Sequence, residues 1–536
     1  EAAPRPHPKI PKPVDLYGRD RRNSLGVDLS IAAERDRLAA AVARPAPVEA
    51  GPLVGGRLVK AGPAQTLTIP ADPGLVVGSV SEATSSEIDA AFGLARAAQP
   101  AWDAAGGLTR AKVLRAMADA LEAERERLIA LCVREAGKTL PDAVAEVREA
   151  ADFCRYYAHL AQTRMVPETL KGPAGESNVL ELHGRGVFVC ISPWNFPLAI
   201  FTGQIAAALA AGNAVLAKPA EQTPLIAAEA VRLFHGAGLH PDLLHLLPGR
   251  GESVGAALIA HPDCDGVAFT GGTETAWSIN RTLAARQGPI VPFIAETGGL
   301  NGMFVDTTAL REQVIDDVVL SAFGSAGQRC SALRLLFLPN ETADSLIEGI
   351  AGAMDALAVG DPSDPATDVG PVIDEEARSN LAAHLQRLER EARIVRRLAA
   401  PERGTFFGPV LAEVPSARFL TREVFGPILH VVRYDPARLA EAAADLAASG
   451  YGLTLGVHSR IEAFAEAVRS LVPAGNVYVN RSIIGAVVGV QPFGGEGLSG
   501  TGPKAGGPNA LSRYCLERAI SINIAAQGGD PALLNL

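Results

Sequence analysis

One cysteine and one glutamate in this sequence could form a nucleophilic site. Cys330 lies in the small and polar run Gly324-Ser-Ala-Gly-Gln-Arg-Cys-Ser, which follows an apolar stretch ending at Phe323. Glu296 ends the apolar run Phe293-Ile-Ala and is followed by Thr-Gly-Gly. The thiolate is the nucleophilic form of a cysteine, and it is present near neutral pH only if the pKa of the thiol is lowered. A glutamate at the end of a strand, where the chain enters a loop, can supply or relay a proton. An isolated cysteine is more often a small buried hydrophobe, so the pair needs support from its surroundings.

Five motifs supply that support. They are Pro193-Trp-Asn-Phe-Pro, Lys218-Pro-Ala-Glu, Glu296-Thr-Gly-Gly-Leu-Asn, Gly327-Gln-Arg-Cys-Ser and Glu423-Val-Phe-Gly-Pro. In order and spacing they resemble the signature motifs of the aldehyde dehydrogenase superfamily, and the similarity extends from about residue 50 to about residue 520. The resemblance implies an α/β, aldehyde-dehydrogenase-like fold. Such a fold combines a Rossmann-type NAD-binding domain, an α/β catalytic domain, and a β-hairpin with a C-terminal segment that serves oligomerisation.

Composition argues against several other classes of protein. With 536 residues, the chain is long enough for two or three domains. Its net charge of −10 argues against a nucleic-acid partner, and no apolar run reaches the roughly 18 residues of a membrane span. The six cysteines are dispersed without CxxC pairs, which suits a reducing compartment, and the ten histidines include no HExxH. We therefore expect a cytoplasmic protein without a metal site.

Hydrophobic patterning places the motifs on alternating strands and helices. From Gly186 onward, short apolar strands alternate with helices, which predicts a parallel sheet that binds ligands beyond the carboxyl ends of its strands. Ahead of this sheet, the spacing of apolar residues predicts helices over Glu87–Trp102, Thr109–Glu135 and Pro141–Thr163, the second with Thr109 as its N-cap. The proline-dense residues 1–13 predict an extended tether.

We predict four regions along the chain. These are an N-terminal linker and helix (1–50), an NAD-binding domain (51–295) with the oligomerisation hairpin at about 165–181, a catalytic domain (296–480), and a substrate anchor loop with the C-terminal segment (481–536).

The cofactor site implied by the resemblance does not use a GxGxxG motif. Instead, Gly271 and Gly272 follow a predicted strand and open a helix, where backbone N–H groups and the helix dipole favour an anion. Taken alone, this pattern also fits a plain strand–helix turn. The resemblance implies that NAD is bound by Ser192, Trp194, Lys218, Glu221, Gly271, Gly272, Glu423 and Phe425. The carboxylate of Glu221 would accept hydrogen bonds from ribose hydroxyls and repel a 2′-phosphate, which favours NAD over NADP, although Lys218 could accommodate the phosphate.

The same resemblance implies oxidation of an aldehyde to a carboxylic acid. Cys330 would attack the aldehyde carbon, while the side chain of Asn195 and the backbone N–H of Cys330 stabilise the resulting oxyanion. Glu296 would then activate water to hydrolyse the thioester. These three residues are the predicted catalytic set.

The loop that begins Ile484-Gly-Ala-Val-Val-Gly narrows the expected substrate. Glycine-rich backbone N–H groups and the hydroxyl of Ser331 can form an anion nest, which suits an aldehyde that carries a distal carboxylate. The loop resembles that of glutamate-γ-semialdehyde (pyrroline-5-carboxylate) dehydrogenases. This resemblance implies that Ser331, Gly485 and Ala486 anchor the carboxylate, and that Phe196 and Phe493 flank the aliphatic part. The alternatives are another carboxylated aldehyde such as succinate semialdehyde, an acyl-CoA-forming enzyme, and a catalytically silent scaffold.

The N-terminal run Pro11-Lys-Pro-Val-Asp-Leu-Tyr-Gly resembles the connector ahead of the dehydrogenase module in bifunctional proline-utilisation proteins. That likeness, and a first residue that is Glu1 and not Met, predict a piece of a longer polypeptide with a proline dehydrogenase half. No part of the sequence matches the flavin-dependent half, so we expect no FAD. The predicted hairpin implies a homodimer.

Overall fold

The computed structural model describes residues 7, 9–43, 47–59, 62–173 and 175–528. Most of the tether predicted for residues 1–13 lies outside these residues, as do residues 529–536 of the predicted C-terminal segment. A short 3₁₀ turn covers Pro13–Asp15 in the N-terminal segment. None of the helices in the described ranges is both long and apolar enough to cross a membrane.

The described part of the chain contains fourteen α-helices. They are α1 (Ala32–Ala43), α2 (Ser85–Ala104), α3 (Gly106–Ala123), α4 (Arg125–Ala136), α5 (Leu140–Arg164), α6 (Ala199–Ala210), α7 (Pro224–Gly236), α8 (Ala256–Ala260), α9 (Thr273–Ala285), α10 (Arg311–Phe323), α11 (Ala343–Met354), α12 (Glu375–Glu391), α13 (Leu439–Ala447) and α14 (Glu462–Leu471).

The strands fall into five sheets within the same residues. They are β1 (Val48–Ala50), β2 (Leu53–Val54), β3 (Arg57–Leu58), β4 (Ala64–Ile69), β5 (Asp72–Ser81), β6 (Glu168–Leu170), β7 (Glu176–Gly184), β8 (Val187–Ile191), β9 (Ala214–Lys218), β10 (Leu244–Leu246), β11 (Gly266–Thr270), β12 (Phe293–Glu296), β13 (Gly302–Val305), β14 (Leu335–Pro339), β15 (Arg393–Arg397), β16 (Val410–Glu413), β17 (Ile428–Tyr434), β18 (Tyr451–Gly452), β19 (Thr454–His458), β20 (Asn476–Val479), β21 (Glu496–Gly497) and β22 (Cys515–Asn523).

Two seven-stranded sheets dominate the fold. The first has the order β12-β11-β8-β9-β10-β2-β3 and is parallel from β12 to β10. The second has the order β15-β16-β17-β14-β13-β19-β20 and is parallel except for the β15–β16 pair. Central strands such as β9 and β14 are buried along their whole length, which explains why they are continuously apolar instead of alternating.

Each large sheet has its own hydrophobic core. The first core gathers residues from Leu38 to Ala295 and takes in Val488 and Tyr514 from late in the chain. The second core gathers residues from Leu300 to Ile483. Strand β12 of the first sheet ends at Glu296, between these two sets, so a glutamate is placed where the cores meet. The four regions named above stay predictions.

The predicted hairpin at 165–181 is part of a three-stranded antiparallel sheet. β6 pairs with β7, and β22 pairs with β7 along its whole length, from Cys515 opposite Gly184 to Asn523 opposite Glu176. The sheet therefore joins the middle of the chain to its C-terminal region. Its role in oligomerisation stays a prediction.

The helix predicted over Thr109–Glu135 was wrong in two respects. The structure has two helices, α3 and α4, that meet at Glu124, whose φ of −99° and ψ of 19° are not helical. Thr109 lies inside α3 and is not its N-cap, because the helix begins at Gly106. The break carries no glycine or proline signal, and the residues around it are good helix formers. It allows α4 to pack against α1 and α7 as well as α5, so tertiary packing decides it.

Candidate active site

The loop that carries Cys330 has an unusual backbone conformation. After α10 ends, Ser325, Ala326 and Gly327 have φ values of 58°, 52° and 65°, a region that residues with a side chain rarely adopt. A Cβ atom on Gly327 would lie 2.2 Å from the carbonyl oxygen of Gly426, so this position requires glycine. Such conformations persist only where surrounding contacts hold them.

Gln328 supplies several of those contacts. Its Oε1 accepts a hydrogen bond of 2.9 Å from the backbone N–H of Ile373, and its Nε2 donates to the carbonyl of Pro371 at 3.2 Å. Its own carbonyl oxygen accepts from Nδ2 of Asn195 at 3.0 Å. The predicted oxyanion donor Asn195 is thus buried against the cysteine loop, where it contacts the residue two positions before Cys330.

Cys330 and Glu296 line one cavity of about 250 Å³. The five residues predicted to bind the substrate line the same cavity: Phe196, Ser331, Gly485, Ala486 and Phe493. Asn195 is not among the lining residues. The structure therefore brings the predicted nucleophile, the predicted base and the predicted substrate contacts together, and the roles of these residues stay predictions.

Glu296 is held by the glycine-rich loop that follows Phe493. Its Oε2 accepts a hydrogen bond of 2.9 Å from the backbone N–H of Gly495, whereas its buried Oε1 has no partner among the described residues. A Cβ on Gly494 would lie 2.7 Å from Oε1, which explains why this position is glycine. Burial raises the pKa of Glu296 to about 8, against the opposing effects of the Gly495 hydrogen bond and the charge of Lys504.

The thiol of Cys330 is in an environment that favours its protonated form. Burial raises its pKa to about 12, and the nearby carboxylates of Glu423 and Glu296 add to this increase. The positive charge of Arg334 acts in the opposite direction. Formation of a thiolate therefore requires a group in the cavity to take up the proton.

A second, larger cavity of about 740 Å³ is lined by residues from the Trp194, Glu221 and Glu423 motifs. Trp194, Glu221, Glu423 and Phe425, four of the predicted cofactor residues, line it. The rings of Trp194 and Phe425 meet edge to face with their centroids 5.5 Å apart. The predicted nucleophile lines the smaller cavity, and half of the predicted cofactor residues line the larger one.

The other four predicted cofactor residues do not line this larger cavity. Nζ of Lys218 lies 3.8 Å from Oε2 of Glu221, and the backbone N–H of Ser192 donates to the carbonyl of Lys218 at 3.1 Å. The backbone N–H of Gly271 donates to the carbonyl of Glu296 at 3.1 Å, and Gly272 is the N-cap of α9. Lys218 is thus placed beside the larger cavity through Glu221. Gly271 contacts the backbone of Glu296, the predicted base. In the residues described, no three or more His, Cys, Asp and Glu side chains are grouped to hold a metal ion.

Comparison with known proteins identifies this arrangement. Residues 61–520 match the aldehyde dehydrogenase family. The chain belongs to the aldehyde dehydrogenase family. The family and the α/β fold predicted from the sequence are confirmed.

Three relatives place the chain more closely within the family. The bifunctional protein PutA of Escherichia coli (strain K12) is 49% identical over 97% of this chain, which spans 40% of that protein's length. The 1-pyrroline-5-carboxylate dehydrogenase of Geobacillus sp. (strain WCH70) is 36% identical over 88% of this chain and 92% of its own length. The crystal structure of 1-pyrroline-5-carboxylate dehydrogenase from Thermus with bound NAD has a TM-score of 0.89 and 34% identity, covering 94% of this chain and 99% of that one.

Sequence reasoning missed a buried arginine that joins two of the predicted site segments of this aldehyde dehydrogenase. Arg334 is completely buried, and its Nη2 donates to Oε1 of Glu423 at 3.1 Å and to the carbonyl of Arg329 at 3.0 Å. Its Nη1 donates to the carbonyls of Gly327 at 2.8 Å and Gly426 at 3.1 Å. One side chain therefore ties the cysteine loop to the Glu423 loop. The sequence contains one indication of this role, because Arg334 directly precedes the apolar run Leu335–Pro339. A charged side chain next to a buried strand must have a buried partner.

Two cations beside Phe196 were also missed. Nζ of Lys138 lies 4.5 Å, and Cζ of Arg329 5.4 Å, from the centroid of the Phe196 ring. Both cations have carboxylate partners: Lys138 lies 3.1 Å from Glu146, and Arg329 lies 2.5 Å from Asp142. The orientation of the Phe196 ring is thus fixed by cation–π contacts.

Proposed function

We propose that this chain oxidises L-glutamate γ-semialdehyde, formed from pyrroline-5-carboxylate, to L-glutamate with NAD, the second step of proline catabolism. The observation that carries the proposal is the cavity of about 250 Å³, in which Cys330 and Glu296 meet the three predicted carboxylate anchors. Two of the relatives above are named 1-pyrroline-5-carboxylate dehydrogenases, which supports the same substrate.

The carboxylate end of the substrate has a set of donors prepared for it. In the part of the chain that the structure describes, the N–H groups of Gly485 and Ala486 and the hydroxyl of Ser331 donate to no protein acceptor. Buried or half-buried donors without acceptors are costly unless a ligand satisfies them. Three such groups lining one cavity favour a carboxylate over a neutral group.

The aldehyde end would react at Cys330. Loss of the thiol proton gives a thiolate whose sulfur bonds to the aldehyde carbon, and the carbonyl oxygen becomes an oxyanion. An amide NH₂ has two N–H groups, so Asn195 can keep its bond to Gln328 and donate the second to the oxyanion. The backbone N–H of Cys330 is the other proposed donor.

Glu296 would handle protons before and after hydride removal. As a carboxylate it can accept the thiol proton of Cys330, with which it shares the cavity. After the thioester forms, it would take a proton from water, so that the hydroxyl oxygen bonds to the acyl carbon and the sulfur leaves. Its raised pKa of about 8 makes it a stronger base than an ordinary glutamate.

The larger cavity fits a dinucleotide. Its lining includes the carboxylates of Glu221 and Glu423 and the rings of Trp194 and Phe425, which match the ribose hydroxyls and the flat ring of NAD in chemistry. The side chain of Glu221 is 49% exposed and hence open to a ligand. These residues would hold NAD, which would supply the acceptor for the hydride that the substrate carbon loses. We assign NAD instead of NADP because Glu221 would repel a 2′-phosphate.

The test is an assay of the purified chain with NAD and three aldehydes: L-glutamate γ-semialdehyde, succinate semialdehyde and propionaldehyde. We expect the highest kcat/KM for the first. Cys330→Ala should abolish NADH formation while NAD still binds, as measured by calorimetry, and Cys132→Ala in α4 serves as the matched control. NADH formation by Cys330→Ala at the wild-type rate would contradict the mechanism. A higher kcat/KM for succinate semialdehyde would contradict the substrate.

We also infer a wider context for the chain, from its relation to PutA. Because it spans 40% of that bifunctional relative, we propose that it functions beside a proline dehydrogenase half in the cytoplasm. The β6–β7–β22 sheet, with exposed apolar side chains such as Leu170 and Leu516, would form a homodimer. Light scattering of the chain and of a Leu516→Asp variant measures this, and equal masses for both would contradict the assigned interface.

A further inference from the structure

An N-terminal arginine is buried on the outer side of the substrate cavity. Arg21 is 8% exposed, and its Nη1 lies 3.0 Å from Oδ1 of Asp152 on α5. Its guanidinium lies over the ring of Tyr17, 3.7 Å from the centroid, and 5.7 Å from the centroid of Tyr156. Its Nη2 donates a short hydrogen bond to the carbonyl of Val488. Arg21 thus connects the N-terminal segment to two elements around the cavity.

The segment that carries Arg21 is itself firmly attached to the helices. Ser24 donates to Asp152 twice, from its backbone N–H at 3.1 Å and from its hydroxyl at 2.7 Å. The backbone N–H of Leu25 donates to Oε1 of Glu122 on α3 at 2.7 Å. Asp152 is next in sequence to Phe153, which lines the cavity. The position of Arg21 is therefore fixed relative to the cavity wall.

Val488 belongs to the anchor loop, which we define as residues 484–493. It follows the Gly485–Ala486 turn by two residues. Within the turn, the carbonyl of Gly485 accepts a hydrogen bond of 2.9 Å from Nη2 of Arg481. Two arginines therefore hold backbone carbonyls of this loop, Arg481 at Gly485 within the turn and Arg21 two residues after it. The N–H groups of the turn lack acceptors among the described residues.

The anchor loop also lies directly against Arg21. Gly489 has a φ of 77°, and a Cβ there would lie 2.8 Å from the Tyr156 ring and 3.3 Å from Nη2 of Arg21. The backbone N–H of Gly489 donates to the carbonyl of Gly506 at 2.9 Å, and the N–H of Gly506 donates to the hydroxyl of Tyr157 at 2.9 Å. The loop is thus packed so closely that a change at Arg21 must be transmitted to it.

We propose that Arg21 is a specificity-determining positioning residue, which holds the anchor loop so that the N–H groups of Gly485 and Ala486 present a preformed site to the distal carboxylate of the substrate. This inference rests on the proposed function, because it concerns the carboxylated end of the same aldehyde. It assigns to the N-terminal segment a role in substrate choice, although that segment does not line the cavity.

The first experiment compares two substrates that differ in the distal carboxylate. For Arg21→Ala, we expect KM for L-glutamate γ-semialdehyde to rise roughly tenfold, the usual order for a lost hydrogen bond from a charged donor, while kcat/KM for propionaldehyde stays within about twofold. Arg21→Lys keeps the charge beside Asp152 and should give an intermediate KM. The matched control is Arg22→Ala, since Arg22 is the exposed neighbour. Equal losses with both aldehydes, or no loss with either, would overturn the proposal.

The second experiment does not depend on the identity of the substrate. Hydrogen exchange is measured on peptides covering 484–493 in the wild-type chain, Arg21→Ala and Arg22→Ala without ligand. We expect faster exchange in Arg21→Ala alone, and unchanged exchange would overturn the positioning role. If the wild-type chain does not oxidise the semialdehyde, the proposed function fails, while this measurement still decides what Arg21 does to the loop. Should Arg21→Ala fail to fold in thermal unfolding, both comparisons are made with Arg21→Lys and judged by the same outcomes.

Discussion

Arg334 and Glu423 form a buried ion pair, with Nη2 of the arginine 3.1 Å from Oε1 of the glutamate. The pair connects the loop that carries Cys330 to Glu423, which lines the larger cavity. Burial raises the pKa of Glu423, and Arg334 opposes this effect through its charge and its hydrogen bond. The arginine therefore helps to keep a carboxylate ionised at a position predicted to bind NAD.

Replacing Arg334 with Met tests this link. The variant leaves Glu423 buried without a counter-ion, so we expect the free energy of unfolding to fall by about 3–5 kcal/mol. It should also raise KM for NAD. Arg334→Lys should restore part of the affinity for NAD, and the double variant Arg334→Met/Glu423→Gln should recover part of the stability. Calorimetric unfolding and NAD titrations measure both effects.

Arg438 offers a matched control, because its partner Glu441 is exposed. Arg438→Met should change neither the midpoint of unfolding nor KM for NAD measurably, since exposed pairs contribute little. Equal effects of the two arginine variants would show that the Arg334–Glu423 pair has no special role.

Much of the fold could be predicted because glycines and changes in hydrophobicity mark where many of its strands and helices begin and end. The short apolar strands predicted from Gly186 onward are present, and β8 (Val187–Ile191) and β11 (Gly266–Thr270) are two of them. Both are short apolar runs with glycine at or just before the start, a pattern that hydrophobicity alone identifies. The break at Glu124 was not marked in this way, since it depends on how α4 packs against its neighbours.

In the candidate site too, some residues could be predicted from the sequence and others could not. Cys330, Glu296 and Glu423 lie in motifs at element ends, so local sequence was enough to single them out. Arg334 and Lys504 act through backbone carbonyls that are distant in sequence, such as those of Gly426 and Gly475. No local pattern reports such partners, because they are brought together only when the two cores and the glycine-rich loop assemble.

The serine after the nucleophile gives a prediction about substrate choice. Ser331→Ala removes one of the three proposed donors to the distal carboxylate. We expect KM for L-glutamate γ-semialdehyde to rise about tenfold, in line with one lost hydrogen bond to a charged group, and KM for propionaldehyde to change little. Steady-state assays of both substrates measure this, with Ser470→Ala on the surface of α14 as control. An equal rise for both aldehydes would show that Ser331 does not contact the carboxylate.

Glu221 gives a prediction about the cofactor. Its carboxylate would repel a 2′-phosphate, and Lys218 lies 3.8 Å away. Glu221→Gln removes the negative charge and leaves the lysine free to attract the phosphate. We expect kcat/KM for NADP relative to that for NAD to rise by about tenfold, as for a removed like-charge contact at a half-exposed site. Assays with both cofactors measure the ratio, and Glu274→Gln in the first turn of α9 is the control. An unchanged ratio would show that residues other than Glu221 determine the preference for NAD over NADP.

Glu296 gives a prediction about pH. Its ordinary pKa of 4.5 is raised to about 8, so at pH 7 most molecules hold this carboxyl group protonated and unable to act as a base. The rate of thioester hydrolysis should therefore increase as pH rises through about 8 and level off above it. Glu296→Gln should remove this dependence and slow hydrolysis by about 10²–10⁴-fold, so that a rapid burst of NADH precedes a slow steady state. A full steady-state rate without a burst would rule out Glu296 as the base.

Lys504 should determine the pH at the midpoint of the hydrolysis profile. Its Nζ donates to the carbonyl of Gly494 at 2.7 Å and to the carbonyl of Gly475, and its charge lowers the pKa of Glu296. Lys504→Met removes the charge, so the pKa of Glu296 should rise and the hydrolysis profile should move to higher pH. Lys504→Arg keeps the charge and should leave the midpoint closer to that of the wild type. Single-turnover rates measured across pH for the three proteins decide this. Identical midpoints for wild type and Lys504→Met would show that the lysine only stabilises the loop through its hydrogen bonds. A shift of the midpoint in Lys504→Met that is absent in Lys504→Arg would show that the charge of the lysine lowers the pKa of Glu296.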